Sequence, residues 1–318
     1  MASKHSRRSF LVYSAGSFLV SSFATEQVLA ATGSVKEAIP SPKGPVARRP
    51  IAPLFCCAYI TPDAPGQGGQ EAMVARYPVA IVPQDIREAF RKWRDDVRAI
   101  NPSIVLLAYQ MVHEETAVPG PGHDALRKAV HSWVRRADGV EPFTFWGNTR
   151  HRLFDPRTPE FEDCFLRACR AVLRSYQYDG LFLDNCTIFP IADPSDSVRS
   201  EMRQALQATL LKLRLEFPDA LIVGNSSENC VGLNGEMNEG RPKQLQSELK
   251  PFSGHTSPNM DMYLTMLTRA DDTETVQREI SDTLKLGAFY GACVEGTHVL
   301  WFDEFDQVID KYRRQDVW

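Results

Sequence analysis

Short, continuously apolar runs, each giving way to polar residues, set the tightest limit on how this chain can fold. They occur at 54–60 (LFCCAYI), 79–82, 104–109, 180–183 (GLFL), 221–223, 262–267 and 289–294. A strand with one wet face alternates apolar and polar residues, so uninterrupted runs mark strands buried on both faces, as in a parallel sheet. Helical patterns fill the gaps at 85–100, 123–136, 159–176, 196–217 and 273–286. Thr158 and Pro159 offer an N-cap and a proline at the first helical position, with Glu160 and Glu162 near the positive end of the helix dipole. Pro218 stops the next helix after Phe217. Strand–helix alternation over about 265 residues predicts an α/β fold, a (β/α)8 TIM-type barrel. A doubly wound open sheet is the alternative. No GxGxxG or GxxxxGKS/T follows any of these strands, so the nucleotide-binding signatures of that architecture are missing.

The 318 residues are 43% hydrophobic and 24% charged, an ordinary globular composition with enough apolar material for one large core. A net charge of -4 gives no reason to expect a nucleic-acid partner. Beyond the N-terminus no run approaches the roughly 18 apolar residues of a membrane span. The seven cysteines are odd in number and lack zinc-like CxxC pairing, which speaks against a disulfide framework or a thiolate cluster. Cys164 and Cys169 share an apolar helical stripe with Phe161, Phe165, Ala168 and Val172 and read as small core residues. Cys56 and Cys57 lie within the first strand.

The N-terminus is distinct. Arg7 and Arg8 precede an apolar run from Phe10 to Ala24, and Val28-Leu29-Ala30 puts small residues where a signal peptidase reads. Ser6-Arg7-Arg8-Ser9-Phe10-Leu11 resembles a twin-arginine export signal. That resemblance implies a signal peptide over 1–30, the twin-arginine translocase as partner during export, no stable membrane span after cleavage, and a periplasmic or secreted protein. Residues 31–50, rich in Pro, Gly and basic residues without periodicity, read as a flexible leader, and 51–318 as the barrel domain.

In a barrel, reactive groups sit at the C-terminal ends of strands and in the loops that follow. Those ends carry Tyr109, Gln110, His113 and Glu114; Asp184 and Asn185; Asn225 and Ser226; Glu236 and Glu239; Tyr263; and Glu295. An acid such as Asp184 at a strand end either turns the chain or is delivered to a site. Tyr59, Trp146, Phe189 and Tyr263 fall at strand ends or loops, where a ring face could stack on a sugar. Trp93 and Trp133 sit in helical patterns and read as packing residues. His113-Glu114 is not part of an HExxH, and no other histidine pair has ligand spacing, so neither a metal nor a cofactor is expected.

YDGLFLDN (178–185), with HRLFDPRTPEFEDCFLRAC before it and LIVGNSSEN and GEMNEG after it, resembles the TIM-barrel glycosyl hydrolases related to endo-α-1,4-polygalactosaminidases. The resemblance spans roughly 77–296 and is strongest over 179–185. It implies glycoside hydrolysis, with Asp184 on the strand-end acid and Glu239 on the later glutamate. Glycoside cleavage needs one carboxyl to protonate the leaving oxygen and another to attack or to activate water. Glu239 is expected as the acid, with Glu236, Glu228, Glu114 and Glu295 as competitors, and Asp184 as the ionised partner. Tyr59, Tyr109, Gln110, Glu114, Trp146, Asn185, Asn225, Tyr263 and Glu295 are expected to contact a polysaccharide or oligosaccharide. The competing functions are a non-catalytic glycan-binding protein on a degenerate barrel and a metal-dependent barrel hydrolase.

Overall fold

The structure, a computed structural model, describes residues 52–58, 70–84, 88–112, 120–132, 153–175, 178–186, 196–225, 230–239, 259–294 and 299–315. The expected signal peptide and leader, 1–50, lie outside the described residues.

Eight strands run in chain order around one parallel sheet: β1 Phe55–Cys57, β2 Val79–Val82, β3 Val105–Met111, β4 Gly180–Asp184, β5 Leu221–Asn225, β6 Gly235–Glu239, β7 Met262–Met266 and β8 Phe289–Cys293. The sheet closes on itself where Leu54 bridges Tyr290 in parallel and the Tyr290 N–H donates to Pro53 O at 2.9 Å. Helices α1 Gln70–Ala75, α2 Glu88–Ile100, α3 Pro121–Leu126, α4 Pro159–Ser175, α5 Asp196–Glu216, α6 Thr273–Lys285 and α7 Asp303–Gln315 accompany the strands. The fold is the (β/α)8 barrel that the sequence predicts.

Alternate residues on each strand face opposite ways, and both directions end in apolar surroundings. Phe55, Val79, Ile81, Val105, Leu107, Phe182, Leu221, Val223, Met237, Met262, Leu264 and Phe289 fill the barrel interior. Their neighbours, among them Cys56, Ala80, Leu106, Leu181, Leu183, Ile222 and Tyr290, pack outward. They meet Phe90, Trp93 and Val97 of α2, Phe161, Phe165 and Val172 of α4, and Leu206, Leu210 and Leu213 of α5. Burial on both sides is why the strands read as unbroken apolar runs. Thr158 caps α4 as expected, its hydroxyl accepting from the Phe161 N–H at 3.3 Å.

Four elements depart from the sequence expectation. β6 reads GEMNE, and its three polar side chains disguise it as loop. α1 and α7 also went unread. The helix expected over 123–136 instead covers Pro121–Leu126 and gives way to a 3-10 turn at Val130–Ser132, in which His131 is exposed. There Ser132 turns inward to a hydrogen bond with Glu160 of α4 at 3.0 Å, a contact that a continuous helix would not present in the same way.

Close approach and buried polar ties lock the strands that matter most. A Cβ on Gly180 would sit 1.8 Å from Leu221 O, and one on Gly235 would sit 2.2 Å from the carbonyl carbon of Met260. Glycine is required at both because neighbouring backbone already fills the space. Asp179 accepts from Arg98 Nη2 at 2.9 Å and from the Leu106 N–H at 2.8 Å, while its own carbonyl accepts from Leu221 N at 3.0 Å. One residue therefore ties β3, β4 and β5 together below the barrel mouth. Arg214, fully buried on α5, donates to Gly232 O at 2.8 Å, Ala220 O at 2.7 Å and Asn234 Oδ1 at 2.6 Å, fixing the turn into β6. Burial pushes its guanidinium down to about 10. All seven cysteines are buried free thiols.

Candidate active site

The inward parity that places Phe182 in the barrel places Asp184 at its rim. On β5 the same count runs through Val223 to Asn225, on β6 through Met237 to Glu239, and on β3 through Leu107 to Tyr109 and Met111. The sheet register sets Met111 beside Asp184 and Asn225 beside Met237. Side chains from four adjacent strands thus converge at the C-terminal mouth.

Asp184 receives three donors. Tyr109 O–H reaches Oδ2 at 2.6 Å, while the Asn185 N–H at 2.9 Å and Asn225 Nδ2 at 2.8 Å reach Oδ1. Asn185 adopts a left-handed φ of 51°, which costs little for asparagine and aims its N–H back at the preceding carboxylate. Its side-chain amide contacts Met111 Sδ at 3.4 Å. Tyr109, almost fully buried, lies against Phe182 with ring centroids 6.2 Å apart. Burial first, then the Asp184 charge, holds its phenol far above the usual tyrosine range, so it remains a donor.

Asn225 Nδ2 also donates to Glu239 Oε1 at 3.1 Å. One amide nitrogen therefore bridges the two carboxyls. Part of Glu239 remains open to solvent, yet protein crowds its carboxyl closely enough to strip away much of its hydration. That desolvation, followed by the nearby Asp184 charge, raises its pKa above the ordinary glutamate value, against the opposing pull of the Asn225 bond. Cys57 and Cys293, at the ends of β1 and β8, lie close enough for Glu239 to perturb both thiols. Burial, helped by Glu239, pushes Cys293 up to about 12, and burial first raises Cys57 as well. Both therefore stay neutral, and Cys293 Sγ contacts Met266 Sδ at 3.1 Å.

The structure brings together Asp184, Glu239, Tyr109, Asn185 and Asn225 of the expected site. It separates Gln110 and Tyr263 from it. Gln110 is one residue out of phase with Tyr109, so it faces the helix layer, fully buried, where it accepts from Gln84 Nε2 at 2.7 Å and donates to Met111 O at 2.6 Å. Tyr263 is out of phase with Met262 and Leu264 and is buried behind the barrel wall. Glu236, a competitor for the acid, is buried on the outward face of β6 for the same reason. Tyr59, Glu114, Trp146, Phe189, Glu228 and Glu295 lie outside the described residues. Met111, Cys57, Cys293 and Met266 were not read as site residues, although counting by twos from any inward neighbour reaches them. A shallow groove between the starts of α6 and α7, lined by Asp271, Trp301, Asp303 and Glu304 among others, includes neither carboxyl of the bridged pair. Among the described residues no group of three or more His, Cys, Asp and Glu side chains is placed to hold a metal ion.

No protein-family model and no curated protein matches the chain. Solved structures do. The chain is similar to the glycoside hydrolase domain of PelA from Pseudomonas aeruginosa, at 14% identity and a TM-score of 0.55, over 76% of this chain and 94% of that one. It is also similar to Ega3 from Aspergillus fumigatus, in complex with galactosamine, at 7% identity and a TM-score of 0.53, over 82% and 97%. The maltogenic α-amylase AmyB from Thermotoga neapolitana matches at 9% and 0.53, over 84% and 77%. The chain shares the TIM-barrel fold of these structures.

Proposed function

We propose that this protein is an exported glycoside hydrolase that cleaves a polysaccharide with Asp184 as nucleophile and Glu239 as acid and base. The observation that carries the reading is the Asn225 amide, 2.8 Å from one carboxyl and 3.1 Å from the other. Their nearest oxygens can be separated by no more than the sum of those distances, about 6 Å. That supports the close pair of a retaining enzyme over the 6.5–9.5 Å that leaves room for water in an inverting one.

The roles follow from the environments. With three donors fixing it, Asp184 presents its carboxylate to the anomeric carbon. Glu239, whose proton is held more tightly than usual, gives that proton to the departing glycosidic oxygen as the Asp184–carbon bond forms. In the second step Glu239 takes a proton from water, the water oxygen attacks the anomeric carbon, and Asp184 leaves. The amide of Asn225 keeps both carboxyls in register throughout.

The choice of polymer is guided by the galactosamine complex of Ega3 and by the resemblance in the 178–185 motif. Galactosamine-containing polysaccharides lead the set to screen, beside α-glucans and α-galactosides. Export by the twin-arginine route, with a periplasmic or secreted enzyme, belongs to the same proposal and rests on Arg7, Arg8 and the run behind them. The test is a polysaccharide screen with Asp184→Asn as control, followed by NMR of the first-formed anomer. Retained configuration, and loss of turnover by several orders of magnitude in the variant, is the expected result. Inversion, or full activity of Asp184→Asn, overturns it.

A further inference from the structure

We infer that Cys186 and Cys230 form a cross-linking site: on oxidation their sulfurs join in a disulfide tying the segment that leaves β4 to the connection entering β6. Cys186 follows Asp184 by two residues, and its N–H donates to Asn225 O at 3.0 Å, so the chain leaving β4 runs alongside the end of β5. Cys230 lies in the connection beyond β5. Both side chains are buried in the same outer core, at 0% and 5% exposure, and Cys230 lies close enough to act directly on the Cys186 thiol.

The other thiols are less well placed. Cys56 and Cys57 are strand neighbours that point to opposite faces, and Cys164 and Cys169 lie on one helix. Cys57 and Cys293 face the interior from β1 and β8, where the Leu54–Tyr290 bridge sets them in register. In-register parallel strands hold such side chains about 4.8 Å apart, wider than the roughly 3.8 Å Cβ spacing of a disulfide.

The chemistry balances with a small-molecule disulfide such as oxidised glutathione as oxidant. The two cysteines give up two protons and two electrons, and the glutathione disulfide becomes two thiols. The Cys230 contact first, and then burial, raises the Cys186 pKa, so little thiolate forms in the closed protein. Exchange therefore proceeds through transient opening of the segment after β4, and the bond is equally sheltered from reductant once made. A covalent hold on Cys186 also restrains left-handed Asn185, whose N–H positions the Asp184 carboxylate.

The experiment incubates the full chain with oxidised glutathione, quenches in acid, alkylates under denaturing conditions and maps peptides by mass spectrometry. A linked peptide pair containing Cys186 and Cys230 is expected, with the other five thiols alkylated. A Tm higher by roughly 5–10 °C than in dithiothreitol-treated protein is also expected, a difference that Cys186→Ser/Cys230→Ser abolishes. Should that variant fail to fold, the wild-type map and its Tm difference still decide. Alkylation of all seven thiols, a link between any other pair, or a link without a change in Tm overturns the inference. None of these readouts depends on the substrate.

Discussion

Asn225 is the residue through which the two carboxyls are related, because its single amide nitrogen serves both. Asn225→Ala should leave the barrel folded while turnover falls about 10²–10³-fold, the scale set by removing one donor from a preorganised site. Steady-state kinetics on the cleaved polymer checks this, and an undiminished kcat would contradict it. Glu239 carries a consequence for stability. Its folded-state pKa is raised, so the folded chain keeps a proton that the unfolded chain has already released. Stability is therefore lost as pH rises from the ordinary glutamate value, about 4.3, through the raised one. Glu239→Gln should match the wild type below about pH 4 and exceed it in stability at pH 7 while losing activity. Denaturant melts at both pH values test the sign, and a wild type more stable than the variant at pH 7 would refute it. Asp184, Asn225 and Tyr109 were legible because each stands where an apolar strand gives way to polar residues, whereas Glu239 was singled out only through the resemblance in GEMNEG. Gln110 and Tyr263 were misassigned because position near a strand end does not reveal facing. Only parity against an inward neighbour such as Phe182 or Met262 does, and that needs the strand's core side to be known.

Among the elements, β4 is the most readable and β6 the least, although each delivers one carboxyl. Leu181 and Leu183 pack outward and Phe182 inward, so β4 is apolar until Asp184. β6 contributes just Met237 to the interior, and its outward Glu236 and rim Glu239 leave no hydropathic trace of a strand. What makes it a strand is long-range. Arg214 anchors the turn before it, Asn234 N donates to Ile222 O, and Gly235 permits the approach of Met260. None of those ties is visible as local propensity. The tightest of the close approaches supplies an element-scale prediction. Gly180→Ala places a methyl group 1.8 Å from the Leu221 carbonyl oxygen, and backbone cannot withdraw without breaking the β4–β5 register. Destabilisation by about 3 kcal/mol or more is expected, at the upper end for overpacking. Urea denaturation measures it, and a loss below about 1 kcal/mol would show that the sheet yields at this point.

For the whole molecule, strand–helix alternation was enough to reach the barrel even with one strand unread and the 123–136 helix overextended. The reason is that a parallel sheet buried on both faces leaves its mark on most strands, and eight repeats tolerate the loss of one. The details of the closing seam were not legible, because they depend on contact between strands far apart in the chain. Pro53 O accepts from Tyr290 N, and Leu54 bridges Tyr290, so β1 completes the sheet only by meeting β8. A whole-molecule prediction follows from where that seam begins. If 1–30 is an export signal and 31–50 a leader, neither supplies an inward side chain or a strand bond to the barrel. A variant lacking residues 1–50 should keep the far-UV circular dichroism and Tm of the full chain, and any glycosidase activity that the full chain shows. A variant lacking residues 1–58 loses β1, exposing the unpaired edges of β2 and β8 and the interior lined by Phe289, Leu264 and Val79. An open parallel edge beside an uncovered apolar interior favours aggregation, so that protein should be insoluble or bind a hydrophobic dye strongly. Equal stability of the two variants would mean that β1 does not close the barrel. Collapse of the shorter truncation would instead place part of residues 1–50 in the folded core and refute the leader reading.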